Sequence, residues 1–368
     1  MKVLSISTDR KVFEPESAVR ARLLDYGQLV DEIHVIVFAK RSLGLRDEKI
    51  ASNVFIYPTN SLSRFTHILA AISRARKLMR AGQKIDLVTT QDPFETGMAG
   101  SRTAQLFEAK LHVQIHTDFM SKYFASESLL NRWRVSVAKF VIPQASAIRV
   151  VSGRIKKSVE KLVQENTKVA VLPIFVEQKK EEEVFAAHDL RKKYPQFDFR
   201  ILVVARLARE KNIQSVLEAT AMLAKENPKV GLIIVGDGPE RKSLEGLVAE
   251  LGISKNVMFE GWQEHLFTYY KTADVFVLPS LYEGYGMAAV EALLAGCPVV
   301  MTDVGCARDV VIDGKNGLIV PVDDSKALFL AVRQIMLGEV KFDLTMPKLP
   351  TKEDYLAAYK KSWQEALL

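Results

Sequence analysis

Residues 275–291, VFVLPSLYEGYGMAAVE, decide the fold. The first five are β-branched or apolar and read as a strand buried on both faces. A glycine-bearing loop follows, and from Met287 the chain turns alanine-rich and helical. Strand, loop and helix in that order form the unit from which helix-covered parallel sheets are built. Gly284 and Gly286 let the backbone come close to a ligand. The helix from Met287 points its unpaired amides and positive dipole end at the loop, a site suited to a diphosphate. Glu283 before the turn and Glu291 in the second helical turn flank it with carboxylates that can accept from hydroxyls. The same spacing equally fits a buried strand–loop–helix whose glycines serve only the turn.

Working outward, the pattern repeats along both halves of the chain. Strands are expected at Val3–Ser7, Ile33–Ala39, Val54–Pro58, Leu87–Gln91, Leu111–Thr117, Ala147–Ser152 and Val169–Pro173. A second series is expected at Arg200–Arg206, Gly231–Gly236, Val257–Gly261, Val275–Ser280, Pro298–Asp303 and Gly317–Pro321. Helical patterns lie between them, notably Phe65–Arg80, Glu95–Glu108, Leu129–Ile142 and Gly153–Gln164. The charged segment 175–198 reads as a linker with one surface helix. The prolines of Met346–Pro350 break any helix. Thr351 with Asp354 then opens a last one, with Tyr355, Tyr359, Trp363 and Leu367 at spacing four. The prediction is an α/β protein of two Rossmann-like, doubly wound domains, 1–174 and 175–345. A closing helix, 346–368, packs back toward the first, and ligands sit beyond the carboxyl ends of the strands, in the cleft between the domains.

Composition narrows the class. The 368 residues are 48% hydrophobic and 26% charged, those of a globular protein. Met1–Ser7 reads as a buried strand rather than a signal peptide, and two cysteines, Cys297 and Cys306, make no disulfide framework. A cytoplasmic setting is expected. Residues 1–174 hold 27 Lys and Arg against 16 Asp and Glu, an excess of 11; the remainder holds 24 against 28, or −4. All the excess positive charge therefore lies in the first half. It predicts either an anionic partner there, foremost a membrane surface at which the protein is peripheral, or merely a solubilising surface. No nucleic-acid motif is present, and no Gly-x-Gly-x-x-Gly follows Val3–Ser7.

The stretch Glu283-Gly284-Tyr285-Gly286, with seven residues between Glu283 and Glu291, resembles the signature of the retaining glycosyltransferases of family 4, which have the GT-B fold. Val203–Leu207 with Glu210-Lys211-Asn212 is similar to that family's Arg-Leu…Glu-Lys-Gly element, Gly236-Asp237-Gly238-Pro239 to its Gly-x-Gly-Pro loop, and Val257–Gly261 to its base-side strand. Ala295–Val300 and Asp313-Gly314…Asn316-Gly317 follow in family order. The resemblance implies a hexosyl transfer from a nucleotide diphosphate sugar, UDP first and GDP-mannose second, to a glycan or lipid-linked acceptor with retention of configuration. It also implies that Arg206 and Lys211 hold the diphosphate and Glu291 the ribose. Glu283 and the amides from Gly284 through Tyr285 and Gly286 to Met287 would hold the sugar and phosphate, and Gly236 and Gly238 leave room for the nucleotide.

The resemblance also implies that His116, at the end of a strand, contacts the donor sugar, with a structural histidine as the alternative. Asp92 occupies an equivalent strand end or caps the following helix. Relatives carry a glycine pair after the first strand; here Thr8–Ser17 has none, and Arg10, Lys11 and Arg20 could meet an anionic acceptor instead. His34, His67, His112, His188 and His265 are read as structural or surface residues. No Asp-x-Asp motif is present, so neither metal nor other cofactor is expected. The competing readings are a non-hydrolysing nucleotide-sugar 2-epimerase of the same fold, or an inactive binding scaffold.

Overall fold

Near-continuous β-branched and apolar runs make strands that are buried on both faces, and helices cover them. The computed structural model describes residues 1–176, 189–345 and 349–368. It divides into a first unit, Met1–Pro173 with Pro350–Leu368, and a second, Ile174–Leu349. Residues 346–348 of the proline break Met346–Pro350, His188 and half of the expected linker, 177–188, lie outside the described residues.

The first unit contains β1 (Lys2–Ser7), β2 (Glu32–Val37), β3 (Glu48–Ala51), β4 (Val54–Pro58), β5 (Leu87–Thr90), β6 (Lys110–Ile115), β7 (Ala147–Val150) and β8 (Lys168–Val171). Among the described residues these pair in the order β3-β4-β2-β1-β5-β6-β7-β8. All pairs are parallel except β3 with β4. Strand β3 has no counterpart in the sequence reading. It is a four-residue edge strand, EKIA, too short and too charged to leave a hydrophobic signal. Its helices are α1 (Ala18–Gly27), α2 (His67–Arg80), α3 (Glu95–Phe107), α4 (Lys122–Glu127), α5 (Leu129–Val141) and α6 (Gly153–Val159).

The second unit holds β9 (Phe199–Val204), β10 (Val230–Val235), β11 (Val257–Gly261), β12 (Val275–Leu278), β13 (Val299–Thr302) and β14 (Gly317–Val320), all parallel, in the order β11-β10-β9-β12-β13-β14. Its helices are α7 (Leu190–Lys193), α8 (Ile213–Glu226), α9 (Arg241–Glu250), α10 (Phe267–Thr272), α11 (Met287–Leu294) and α12 (Ser325–Met336). The chain winds outward from β9 through β11 and then returns to add β12 on the other side. The strand order therefore reverses between β9 and β12, and at such a switch point the loops beyond the carboxyl ends splay apart to make a crevice.

The last helix, α13 (Lys352–Leu367), belongs to the first unit. Thr351 and Asp354 cap it reciprocally, as their spacing predicts. Tyr355, Tyr359 and Trp363 are buried against β6 and β7. Tyr359 stacks on Tyr26 with ring centroids 4.3 Å apart. No described helix is long and apolar enough to cross a membrane.

Candidate functional site

The loops after β9 and β12, neighbours in the sheet, carry four of the expected charged groups, Arg206, Lys211, Glu283 and Glu291, if the first two turns of α11 are included. Beyond β9, buried Leu207 anchors the chain, a 3-10 turn spans Arg209–Lys211, and Asn212 takes a left-handed φ of 47° before α8. Lys211 Nζ lies 2.5 Å from Glu283 Oε1, and the Ser280 hydroxyl donates to the same oxygen at 2.8 Å. The Leu281 amide donates to the Glu210 carbonyl at 2.8 Å, so backbone as well as charge ties the loops together. Arg206 sets its guanidinium 2.6 Å from Glu210 Oε1 while remaining 68% exposed.

The loop into α11 is held rigidly. Of its two glycines only Gly286 uses a left-handed backbone, φ 88°, as the residue before the helix, and no side chain caps that end. Tyr285 is buried and its carbonyl accepts from the Cys306 amide at 2.7 Å. Gly305, at φ 55°, makes that approach feasible, because a Cβ there would lie 2.5 Å from the Tyr285 carbonyl oxygen. Sequence reasoning missed Gly305, since nothing in the run VGCA marks what it packs against. Glu291 accepts from the Tyr270 hydroxyl at 3.0 Å. Burial raises its carboxyl above the usual range, and Tyr270 only partly offsets this.

The glycines of Gly236-Asp237-Gly238 serve a close backbone crossing. A Cβ at Gly236 would lie 1.9 Å from the Ala205 carbonyl oxygen, and one at Gly238 would lie 2.3 Å from that of Leu207. What they admit is the loop that carries Arg206. Gly236 also donates to the Gly261 carbonyl at 2.7 Å. The next residue, Trp262, is 72% exposed at the carboxyl end of β11, an aromatic surface the sequence reading passed over.

In the first unit His116 follows β6, and its Nε2 is 3.3 Å from Gln114 Oε1. The same oxygen accepts from Arg149 Nη1 at 2.7 Å and from the Tyr359 hydroxyl at 3.1 Å. Three groups converging on one amide oxygen make Nε2 the protonated nitrogen of a neutral imidazole. Burial, with Arg149 and Arg22 adding to it, lowers the His116 pKa to about 3. Gln114 and Arg149 were not singled out from sequence, being strand residues within apolar runs.

The loop after β1 lacks glycine yet is ordered by Gln91. The Gln91 Oε1 accepts from the Ser7 hydroxyl at 2.8 Å and the Thr8 amide at 2.7 Å, and a 3-10 turn spans Arg10–Phe13. Arg10 and Lys11 are exposed, whereas Arg20 pairs with Glu48 at 3.1 Å. Asp92 accepts from the Phe94 amide at 2.7 Å at the entry to α3, and burial raises its pKa to about 6. His34 and His67 are bonded within the fold, to Tyr57 and Ser61. Cys297 and Cys306 are buried and unpaired. Among the described residues no group of three or more His, Cys, Asp or Glu could hold a metal ion.

Comparison with known proteins places two family models on the chain: "Glycosyl transferases group 1" over residues 184–348 and "Glycosyltransferase Family 4" over 27–180. The lipopolysaccharide core biosynthesis glycosyltransferase LpsE of Rhizobium meliloti is 35% identical over 136 residues, 37% of this chain and 39% of that protein. N-acetyl-alpha-D-glucosaminyl L-malate synthase of Bacillus anthracis is 24% identical over 323 residues, 85% of this chain and 82% of its own. The alignments with the first two curated relatives thus span under two fifths of their length. Among solved structures, Anabaena HepE in complex with UDP superposes with a TM-score of 0.69 at 19% identity, covering 100% of this chain and 94% of that one. This likeness establishes the fold as GT-B.

Proposed function

The chain belongs to the group 1 glycosyl transferases, and we propose that it moves a hexosyl group from a UDP-sugar to a glycan or lipid-linked acceptor with retention of configuration. GDP-mannose is the second donor on this reading. The observation that carries it is the junction of Lys211 with Glu283 across the β9–β12 switch point, beside the uncapped start of α11. A diphosphate there meets the helix amides and the fixed positive charges of Lys211 and Arg206. These charges stabilise the nucleoside diphosphate as its bond to the sugar breaks. Glu291, braced by Tyr270, accepts from the ribose hydroxyls, and exposed Trp262 offers a face on which the base stacks.

Glu283 and the amides from Gly284 to Met287 orient the sugar. The sugar–phosphate C–O bond breaks as the acceptor oxygen bonds to the same carbon from the same face. The acceptor's proton passes to the leaving phosphate oxygen, so no enzyme nucleophile is required. His116, a neutral imidazole, is assigned to the transferred sugar. Charge and positioning from protein groups suffice, without a divalent ion.

The deciding experiment combines two measurements. A thermal-shift panel of nucleoside diphosphates and their sugars should single out UDP and a UDP-hexose by mass action. Product analysis with that donor should then give a mass increased by one hexosyl unit on the acceptor and an unchanged anomeric configuration. An isomerised nucleotide sugar of unchanged mass would replace this reading with epimerisation.

A further inference from the structure

Helix α5 leaves a stripe of its own apolar residues outside the core. Val137, Ala138 and Val141 are buried, but Leu129, Trp133 and Phe140 are 79, 42 and 56% exposed. With Ser136 they recur at i, i+4, i+7 and i+11, a single face of the helix. Exposed Arg132 and Lys139 flank the stripe, and α5 contains no acidic residue. Helix α3 packs against both α5 and α2, so the three share one layer. At the α2 end, Leu62, Phe65 and Leu69 are 83, 79 and 70% exposed, and the Arg64 guanidinium sits 5.0 Å from the Phe65 ring.

Charge in this layer is one-sided. Helices α2, α3 and α5 include one acidic residue, Glu95, and Arg134 occupies it at 2.9 Å. Arg74 pairs with Asp47. Arg76, Lys77, Arg80, Arg102, Arg132 and Lys139 have no ion pair among the described residues. A merely solubilising surface needs charge and no exposed tryptophan, phenylalanine or leucine, whereas a phosphate-binding groove would leave the apolar stripe unused. Aromatic and aliphatic side chains standing beside unpaired bases match the boundary of an anionic bilayer, where rings and leucines enter the acyl region and bases meet headgroup phosphates.

We propose that the outer face of the α2–α3–α5 layer is a docking surface for an anionic membrane, with the α5 stripe as its wedge. This goes beyond the donor chemistry and concerns a different unit from the nucleotide residues. The test is cosedimentation of the full chain with vesicles of phosphatidylcholine containing graded phosphatidylglycerol. Binding should rise with anionic content and fall on raising salt. Arg132→Gln and Lys139→Gln should each lower it by about fivefold, the equivalent of about 1 kcal/mol per basic residue. W133A with F140A should lower it by about fivefold or more at fixed lipid charge. The nucleotide-induced thermal shift, measured on each variant, should stay intact and show that the protein is folded. Absence of binding at low salt, binding indifferent to lipid charge, or variants that bind like the parent would overturn the proposal. Binding to a nucleic-acid duplex more tightly than to vesicles would overturn it too.

Discussion

Lys211 and Glu283 form a 2.5 Å ion pair although 71 residues lie between them, because their loops leave neighbouring parallel strands at the point where strand order reverses. Both side chains are largely buried, 21 and 11% exposed, so each is matched to the other before any ligand arrives. On the proposed chemistry an incoming diphosphate shares Lys211 with Glu283. Lys211→Ala should weaken UDP binding by about 10- to 100-fold, the range of one charge-assisted hydrogen bond. Glu283→Gln should leave UDP affinity within about threefold of the parent and reduce turnover far more, since that carboxylate is assigned to the sugar. Isothermal titration and initial rates separate the two, and equal losses of UDP affinity in both variants would remove the division of roles.

Gly305 offers a test that adds only a methyl group. Its φ of 55° and the Tyr285 carbonyl 2.5 Å from any Cβ mean that Gly305→Ala must displace the loop before α11. Substitution should cost stability by about 1–3 kcal/mol and lower kcat/KM at least tenfold. Gly314→Ala is the control for strain alone: its φ is 71°, but nothing lies within 4 Å of its Cβ, so it should destabilise without a comparable loss of activity.

What could be read from the sequence follows from what kind of signal each feature leaves. Apolar runs that end at turn residues advertise their strands, and Val54–Pro58 and Val257–Gly261 have the same bounds in the structure as in the sequence reading. The edge strand β3 does not, because its charged residues face water. Helix α13 announced its start through Thr351 and Asp354 and its buried face through spacing. The residues of the β9 and β12 loops stood out because charges and glycines cluster after apolar runs. Gln114, Arg149 and Gly305 did not, since their significance lies in contacts with residues 35, 206 and 20 positions away. No local pattern encodes a partner at that separation.

A divalent ion should prove dispensable. On the proposed chemistry Arg206, Lys211 and the α11 amides meet the diphosphate charge, and no described cluster of ligands competes for that task. Initial rates in excess EDTA should match those with added magnesium or manganese within about twofold. A rate abolished by chelation and restored by one of these metals would require a different electrostatic account.

His116 should affect turnover and leave nucleotide affinity nearly unchanged, since it belongs to the first unit and the nucleotide residues to the second. His116→Ala is expected to lower kcat about 10- to 100-fold with UDP affinity unchanged. Gln114→Leu removes the acceptor of the Nε2 proton, and also the partner of Arg149 Nη1, so its stability will fall as well. The discriminating measurement is nitrogen-15 NMR of the imidazole. The parent should show the Nε2-protonated neutral tautomer near pH 7, and the variant a mixture. The Nδ1-protonated form in the parent would contradict the assignment.

His112 makes the stability of the first unit fall in acid. Its ring is wholly buried on β6, Nδ1 is 2.9 Å from the Thr89 hydroxyl, and Nε2 has no hydrogen-bond partner among the described residues. Burial, with Arg149 adding to it, lowers its pKa to about 3, against a value near 6.5 when unfolded. Between those values the unfolded chain takes up a proton that the folded chain refuses, so stability rises with pH and is lost as pH falls below about 6.5. Asp92, raised to about 6, and Asp118, also raised by burial, work in the opposite sense, but they stand against the imidazoles of His34, His67, His112 and His116, all lowered by burial. Comparison with His112→Gln isolates the single group. That variant loses the fit to Thr89 and should be the less stable at pH 7.5. Lowering the pH to 4.5 should then improve its stability relative to the parent by about 2–3 kcal/mol, two pH units below the unfolded pKa. Urea denaturation at the two values measures the change. A stability difference independent of pH would mean that His112 is protonated as readily in the folded protein as in the unfolded one.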